Sequence, residues 1–357
     1  MASSEITTMS TQPSHPGDVV GVPSAKQPAR SAAFPSIGPS SSLGDVASAA
    51  LARNVKRFGE NGAAVRLQDD PDALHDLRVA SRRLRAALSE FSGILPVSSV
   101  RIRNELGQLG VSLGAVRDLD VEIAQLVSWQ RSADAQDDMI PLIEFLESER
   151  ATARDAMQRT MGSARWGRVS TALERLVARG PLRNSSEPRR EARAVAPNLL
   201  FATEAKVRKA AIRAEEDPSP QALHRLRIRC KRLRYSLEFF APVFRGRADD
   251  TIEGLVAMQD LLGSHQDAIV AISRFQQLAR ERAGTMPPAA IFTMGRLVER
   301  HRVEAAELRE RAGPAYRRFH KKPWKKFAKH LERSRARSVA LEASPPKRPA
   351  ATMNAER

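Results

Sequence analysis

Residues 75–91 read HDLRVASRRLRAALSEF, and residues 224–240 read HRLRIRCKRLRYSLEFF. The offset, 224 − 75 = 149, holds without a gap from residue 75 to residue 118. Leu77, Arg78, Arg83, Leu84, Arg85, Leu88 and Phe91 recur as Leu226, Arg227, Arg232, Leu233, Arg234, Leu237 and Phe240. Further along, Gly114 recurs as Gly263 and Asp118 as Asp267. A period this long marks a duplicated domain rather than a solenoid of short repeats. Whatever one half folds into, the other must echo. The repeated unit is a histidine followed by a row of arginines on a helix, a pattern suited to a polyanion.

The motif places its charges in a definite way. At roughly 100° per residue, with His75 at zero, Arg78 falls at about 300°, Arg82 at about 340° and Arg85 at about 280°. Leu74, Leu77, Leu84, Leu88 and Phe91 fall between roughly 160° and 260°, an adjacent apolar stripe. An ordinary amphipathic helix turns its charge away from the core. Here the basic stripe borders the apolar one, so the arginines are expected at an interface or along a groove. His224, Arg227, Lys231 and Arg234 repeat the geometry. Two such helices related by a pseudo-twofold axis would line one shared channel.

The rest of the chain reads as helices with breaks. Val/Ile/Thr alternation is absent, so strands are not expected. Residues 1–42, rich in Ser, Pro, Gly and Ala, read as a disordered leader. A first repeat spans 43–180, a linker 181–197, a second repeat 198–333 and a disordered basic tail 334–357. Asp70-Pro71-Asp72 and Asp217-Pro218-Ser219-Pro220 supply N-cap and first-turn residues for the two motif helices. Helices are expected near 98–131, 138–161, 166–179, 198–215, 219–241, 247–282 and 287–312.

The formal net charge of +17 says little about fold but much about partners. Nucleic acid, an anionic membrane and an inorganic polyanion are the candidates. Aromatics make up only 5% of the chain, which weakens a base-stacking surface for single strands. The single cysteine, Cys230, excludes a disulfide framework and a cysteine metal cage. No basic-then-apolar leader opens the chain, and no run of roughly 18 apolar residues interrupts it. A cytoplasmic location without a transmembrane segment is the expectation.

At the motif residues the chain resembles the CHAD family, the conserved histidine α-helical domain. The matching pieces are ALHDLRVASRRLRAAL at 73–88, LGAVRDLDV at 113–121 and ALHRLRIRCKRLRYSLEFF at 222–240, with the weaker LLGSHQDAIV at 261–270. The similarity covers roughly 43–333. In the second copy Gln266 stands where the first has Arg117. The resemblance implies an all-α protein of two tandem four-helix bundles around a basic central pore. It also implies binding of inorganic polyphosphate, often at polyphosphate granules. Some family members join the domain to a triphosphate-tunnel enzyme domain; no alternating-Glu strand pattern of that kind is found here, so a stand-alone binding module is expected.

The expected polyphosphate contacts are His75, Arg78, Arg82, Arg83, Arg85, His224, Arg227, Lys231, Arg232 and Arg234. Arginine presents a planar fork of donors matched to phosphate oxygens. The competing reading, a solvated helix face with salt bridges, needs acids. The span 75–91 holds only Asp76 and Glu90, and 224–240 only Glu238. Asp118 and Asp267 are expected to buttress motif arginines through buried or half-buried ion pairs, with Glu238 beside Tyr235 acting likewise. Gly114 and Gly263 suggest close helix packing rather than a phosphate loop. No metal is expected at the histidines, because no partner ligand sits at i+3 or i+4 on that face. Neither a P-loop nor a carboxylate-held metal site is written in the chain, so neither catalysis nor a cofactor is expected. A nucleic-acid-binding architectural protein using the same basic surface is the alternative. The segment 317–337 carries ten Lys and Arg against Glu332 alone, with Trp324 and Phe327 interleaved. It has the makings of a membrane or nucleic-acid surface, or of an extension of the polyphosphate surface.

Overall fold

The computed structural model describes residues 36–67, 70–131, 139–182 and 184–343, with side chains described as far as residue 337. Most of the leader and the end of the tail lie outside the described residues. Helix α1 (Leu43–Leu67) leads to α2 (Pro71–Glu90), α3 (Ser98–Arg131), α4 (Ile140–Gly162) and α5 (Ala164–Arg179). Then follow α6 (Ala192–Glu216), α7 (Pro220–Phe240), α8 (Asp249–Glu281), α9 (Pro288–Phe319) and α10 (Lys325–Ala343). The fold is all-α, as expected. Among the described residues no β-strand forms, and the one isolated bridge joins Ser42 to Glu191.

That bridge reveals the duplication in space. Adding 149 to the bounds of α1 gives the bounds of α6, and α2 begins 149 residues before α7. Ser42 and Glu191 are themselves equivalents. The Leu43 amide donates to the Arg190 carbonyl (2.8 Å), and the Ala192 amide donates to the Ser41 carbonyl (2.9 Å). Each bond is the other's image under the 149-residue shift, which is what a local twofold relation requires. Farther along, Phe91 and its equivalent Phe240 pack edge to face with ring centroids 5.9 Å apart, and Phe239 adds a second ring at 5.7 Å.

The expected apolar stripes are the buried ones. Leu74, Leu77, Leu84 and Leu88 of α2, with Leu223, Leu226, Leu233 and Leu237 of α7, are all buried. They join a core that does not divide at the linker. It runs through α1, α2, α5, α6, α7, α10, the first halves of α3 and α8 and the last turns of α4 and α9. A second, smaller core unites the far halves of α3 and α8 with α4 and α9, through Leu126, Leu146, Phe275 and Met294. The ion pair of Arg274 with Glu122 (2.9 Å) ties α8 to α3 beside it. The apolar core is therefore shared between the repeats rather than enclosed separately in each, and Phe91 meets Phe239 and Phe240 across it.

Three boundaries differ from the sequence reading. Helix α6 begins at Ala192, inside the expected 181–197 linker, with the buried Pro197 in its second turn. Proline there removes one intrahelical bond, but the first turn is held from outside by the Ser41 carbonyl. Helix α9 continues past residue 312 to Phe319, through Pro314, and passes into a π-helical turn at His320–Trp324. Helix α10 then runs on to Ala343, where the sequence suggested a tail from residue 334. Phe327 and Leu331 are fully buried and supply the apolar face that propensity alone did not advertise.

Candidate functional site

Both motif helices open with proline at the first helical position. Asp70 caps α2, its Oδ1 accepting from the backbone N–H of Asp72 (2.8 Å) and Ala73 (3.2 Å). Ser219 precedes α7 without capping it, donating instead to Oδ2 of Asp217 (3.0 Å).

Between α2 and α7 lies an open groove of about 600 Å³ to which α3 and α6 also contribute. Four of the expected contacts line it: Arg82, Arg85, Lys231 and Arg232. Arg82 and Lys231 are equivalents under the 149-residue shift, so the two stripes do meet at one place. Arg103 of α3, Lys206 of α6 and Arg229 of α7 add three more cations, and Glu90 is the single acid in the lining. These three were missed in the sequence. Arg229 has Ala80 as its equivalent, so the repeat does not flag it. Arg103 and Lys206 come from helices outside the motif. Only Lys206, which repeats the charge of Arg57 at the 149-residue offset, left a signal.

The other expected contacts flank this groove along the helices. Arg78 reaches α3, donating from Nη1 to the Gly114 carbonyl and to Oδ1 of Asp118, both at 3.0 Å. Its guanidinium lies over Gly114, and the Arg227 guanidinium lies over Gly263 in the same way. The repeated glycines thus receive arginine side chains rather than a neighbouring helix backbone. Nδ1 of His224 donates to Oε1 of Gln266 (2.6 Å), leaving Nε2 available. His75 is exposed. Partial burial, then the charges of Arg117 and Arg82, lower its pKa, so its ring gains a proton less readily than a free histidine.

At the other end, Arg83 of the first repeat pairs with Glu238 of the second (2.8 Å), and Arg234 approaches the same carboxylate at 3.6 Å. Arg234 also stacks over the Tyr235 ring, 5.3 Å from its centroid. Glu238 therefore orients two arginines, one from each repeat. The fate of the other supporting acids is a correction. Asp118 pairs with Arg78 but is exposed, not buried. Asp267 forms no ion pair with Arg227 among the described residues and is likewise exposed. Protein crowded around it raises its pKa, against the pull of Arg227 and Lys231. In the second copy Gln266, at the place of Arg117, accepts from His224. Asp120 belongs to the α3–α4 hairpin, accepting from Nε of Arg150 (2.6 Å).

The cations repel one another. Burial, then Arg227 and Arg82, push Lys231 down to about 8, with Asp267 opposing and Arg234 adding to the fall. Burial lowers Arg82 as well; Tyr235 opposes the shift, while Arg78, Arg227 and Arg234 deepen it. The Nε atoms of Arg82, Arg83, Arg227 and Arg234 are buried and hydrogen-bond to no protein atom. A buried donor left unpaired costs about 1–3 kcal/mol. Cys230, by contrast, is inert: it is fully enclosed, and burial pushes its thiol up to about 12. Among the described residues, no group of three or more His, Cys, Asp and Glu is placed to hold a metal ion. Among them also, no helix is long and apolar enough to cross a membrane.

A duplicated helical domain built around a cation-lined groove is the class that this fold and site define. The chain belongs to the CHAD domain family, whose model matches residues 49–276. The crystal structure of the CHAD domain from the plant Ricinus communis is similar, with a TM-score of 0.65 and 26% identity, over 81% of this chain and 95% of that one. PptA from Streptomyces chartreusis shares the fold, with a TM-score of 0.63 and 21% identity, over 78% of this chain and all of that one. Two Mycobacterium tuberculosis relatives, the uncharacterized proteins MT2285 and Rv2226, are each 28% identical over 271 residues. That alignment covers 71% of this chain and 49% of each relative, so the chain spans about half the length of the curated relatives it matches.

Proposed function

We propose that this chain binds inorganic polyphosphate in the groove between α2 and α7, without turning it over, and through that ligand associates with polyphosphate granules. The observation that carries the reading is the meeting of Arg82 and Lys231, equivalents from the two repeats, in one groove where burial first, and neighbouring cations after it, depress both. Crowded like charges disfavour the free protein. Perturbed ionisable groups gathered in a concavity are a mark of function. A linear polyanion neutralises both stripes at once, and each guanidinium offers its fork of donors to phosphate oxygens. Membership of the CHAD family supports polyphosphate over other polyanions, since the family resemblance implies that ligand.

The test is affinity for polyphosphates of defined length, with DNA and ATP as controls, in wild type and two triple variants. Replacing Arg78, Arg82 and Arg85 with Ala, or Arg227, Lys231 and Arg234 with Ala, should each weaken long-chain binding by several kcal/mol, at roughly 1.5–3 kcal/mol per charge-assisted hydrogen bond. Tripolyphosphate, too short to span both stripes, should lose less from either set. Binding should fall steeply with salt as counterions are released. DNA that displaced long polyphosphate at equal phosphate concentration would favour the architectural nucleic-acid reading instead. Phosphate release, with or without added magnesium, would contradict the non-catalytic assignment.

A further inference from the structure

The basic segment after α9 forms a second concavity. Lys321, Lys322, Lys325, Lys326, Lys329 and Arg333, together with Arg247 from the turn before α8 and with His330, line a shallow depression of about 430 Å³. No acid lines it. Asp250 at its edge takes Lys326 (2.7 Å), and the other lysines are exposed and, among the described residues, without an ion pair. The π-helical turn at His320–Trp324 builds this surface. The turn contains Pro323, whose carbonyl accepts from Oγ1 of Thr251 (3.2 Å), which pins it to α8.

The same turn decides between occupants. The interleaved aromatics, which in the sequence suggested a membrane or a base-stacking surface, are not on this face. Trp324 and Phe327 are buried, Trp324 against Phe201 of α6 and Phe327 against Phe244. Among the described residues what lines the depression is charge without Trp, Tyr or Phe, and its one ring, His330, is packed on Phe244 and Phe327. An amphipathic membrane segment needs an apolar anchor, and sequence-tolerant single-strand binding needs a stacking platform. Lysine heads act as mobile point charges, which suits a flexible anion that offers phosphate charge and nothing else.

The depression is also separate from the groove. Helix α6 stands between them, with Leu199, Thr203 and Lys206 lining the groove and Phe201 packed on Trp324. We infer that this lysine surface is a second binding site for the same inorganic polyphosphate, reached only by chains long enough to leave the groove and pass α6. The inference rests on the proposed function of the groove. Two sites on one ligand turn the second contact into an intramolecular one, so the gain appears for long chains alone.

The experiment replaces Lys322, Lys325, Lys329 and Arg333 with Gln in the full chain and measures affinity for tripolyphosphate and for a long polyphosphate. All four side chains are exposed, and helicity by circular dichroism checks that folding is unchanged. The expected result is an unchanged tripolyphosphate affinity and a loss of at least about tenfold for the long chain. A companion variant with Lys322→Arg, Lys325→Arg and Lys329→Arg keeps the charge and should bind like wild type. Unchanged long-chain affinity in the Gln variant would overturn the inference, as would an equal loss for both ligands. Loss of duplex DNA binding with polyphosphate binding intact would assign the surface to nucleic acid and overturn it too. The Arg82→Gln, Lys231→Gln variant separates the two claims. If it binds tripolyphosphate as wild type does, the groove assignment fails; if only the lysine-surface variant behaves as wild type, the second site alone fails.

Discussion

Lys231→Met tests the crowding argument most directly. Methionine keeps most of the aliphatic stem and removes the charge. Burial, then Arg227 and Arg82, hold the Lys231 amine at about 8 against an ordinary 10.5. Taken at face value, that fall costs the native state about 3 kcal/mol while the amine is charged. Solvent and salt screen the guanidinium contribution, so about 1–2 kcal/mol is the expected effect in ordinary buffer. The native pKa lies below the unfolded one. Below about pH 8, both states carry the proton and the penalty is complete. Between about 8 and 10.5 the unfolded chain holds a proton that the native protein has released, so stability rises with pH; beyond 10.5 the penalty is gone. The free variant should therefore exceed wild type in stability near neutral pH by about 1–2 kcal/mol, at roughly 2–4 °C per kcal/mol in a domain of this order. The gap should close as pH approaches 10.5. Polyphosphate affinity should move the other way, falling by roughly 1.5–3 kcal/mol. Calorimetric melting of both proteins across this range, with and without polyphosphate, supplies the measurement. Taking the difference removes Cys230, whose raised thiol pKa makes stability fall above its ordinary 9.0 in both proteins alike. A variant less stable than wild type at neutral pH, or a gap that persists at high pH, would refute the argument.

Three further outcomes concern the frame around the groove. Phe91→Ala should cost about 3–5 kcal/mol in chemical denaturation, because the ring is buried against Phe239 and Phe240; two separate transitions would contradict a core shared between the repeats. Gly44→Ala should cost about 1–3 kcal/mol, since a Cβ there would lie 3.0 Å from the Pro188 carbonyl oxygen and 3.2 Å from its Cβ. Unchanged stability would mean that the 181–191 connection yields freely. Asp118→Asn should shift stability by less than about 1 kcal/mol, because the acid of its pair with Arg78 is 68% exposed; a larger loss in thermal melting would show the pair to be structural.

Much of this protein was legible from residue order alone. The 149-residue repeat implied two equivalent halves, and the borders of the two stripes on each motif helix implied arginines beside a core. Both follow from the helical period, which is local chemistry and needs no knowledge of the partner. The leucines on that stripe are the buried ones, and Arg82 and Lys231 do share a groove. Tertiary structure decided the rest. Arg103 and Lys206 enter the groove because α3 and α6 pack beside the motif helices, and packing is not periodic in sequence. Asp118 and Asp267, equivalent in residue and position, differ in their bonding: Asp118 accepts from Arg78, while Asp267 pairs with no arginine among the described residues. Pro197 fell in the expected linker, yet the chain is helical there, with the first turn of α6 held by the Ser41 carbonyl; the chain is helical through Pro314 and Pro323 as well. Trp324 and Phe327 read as surface anchors and are core residues. Around the π-helical turn Trp324 packs on Phe201 of α6 and Phe327 on Phe244, while Lys325, Lys326 and Lys329 face water. No local propensity encodes that placement, because it is fixed by what lies on either side.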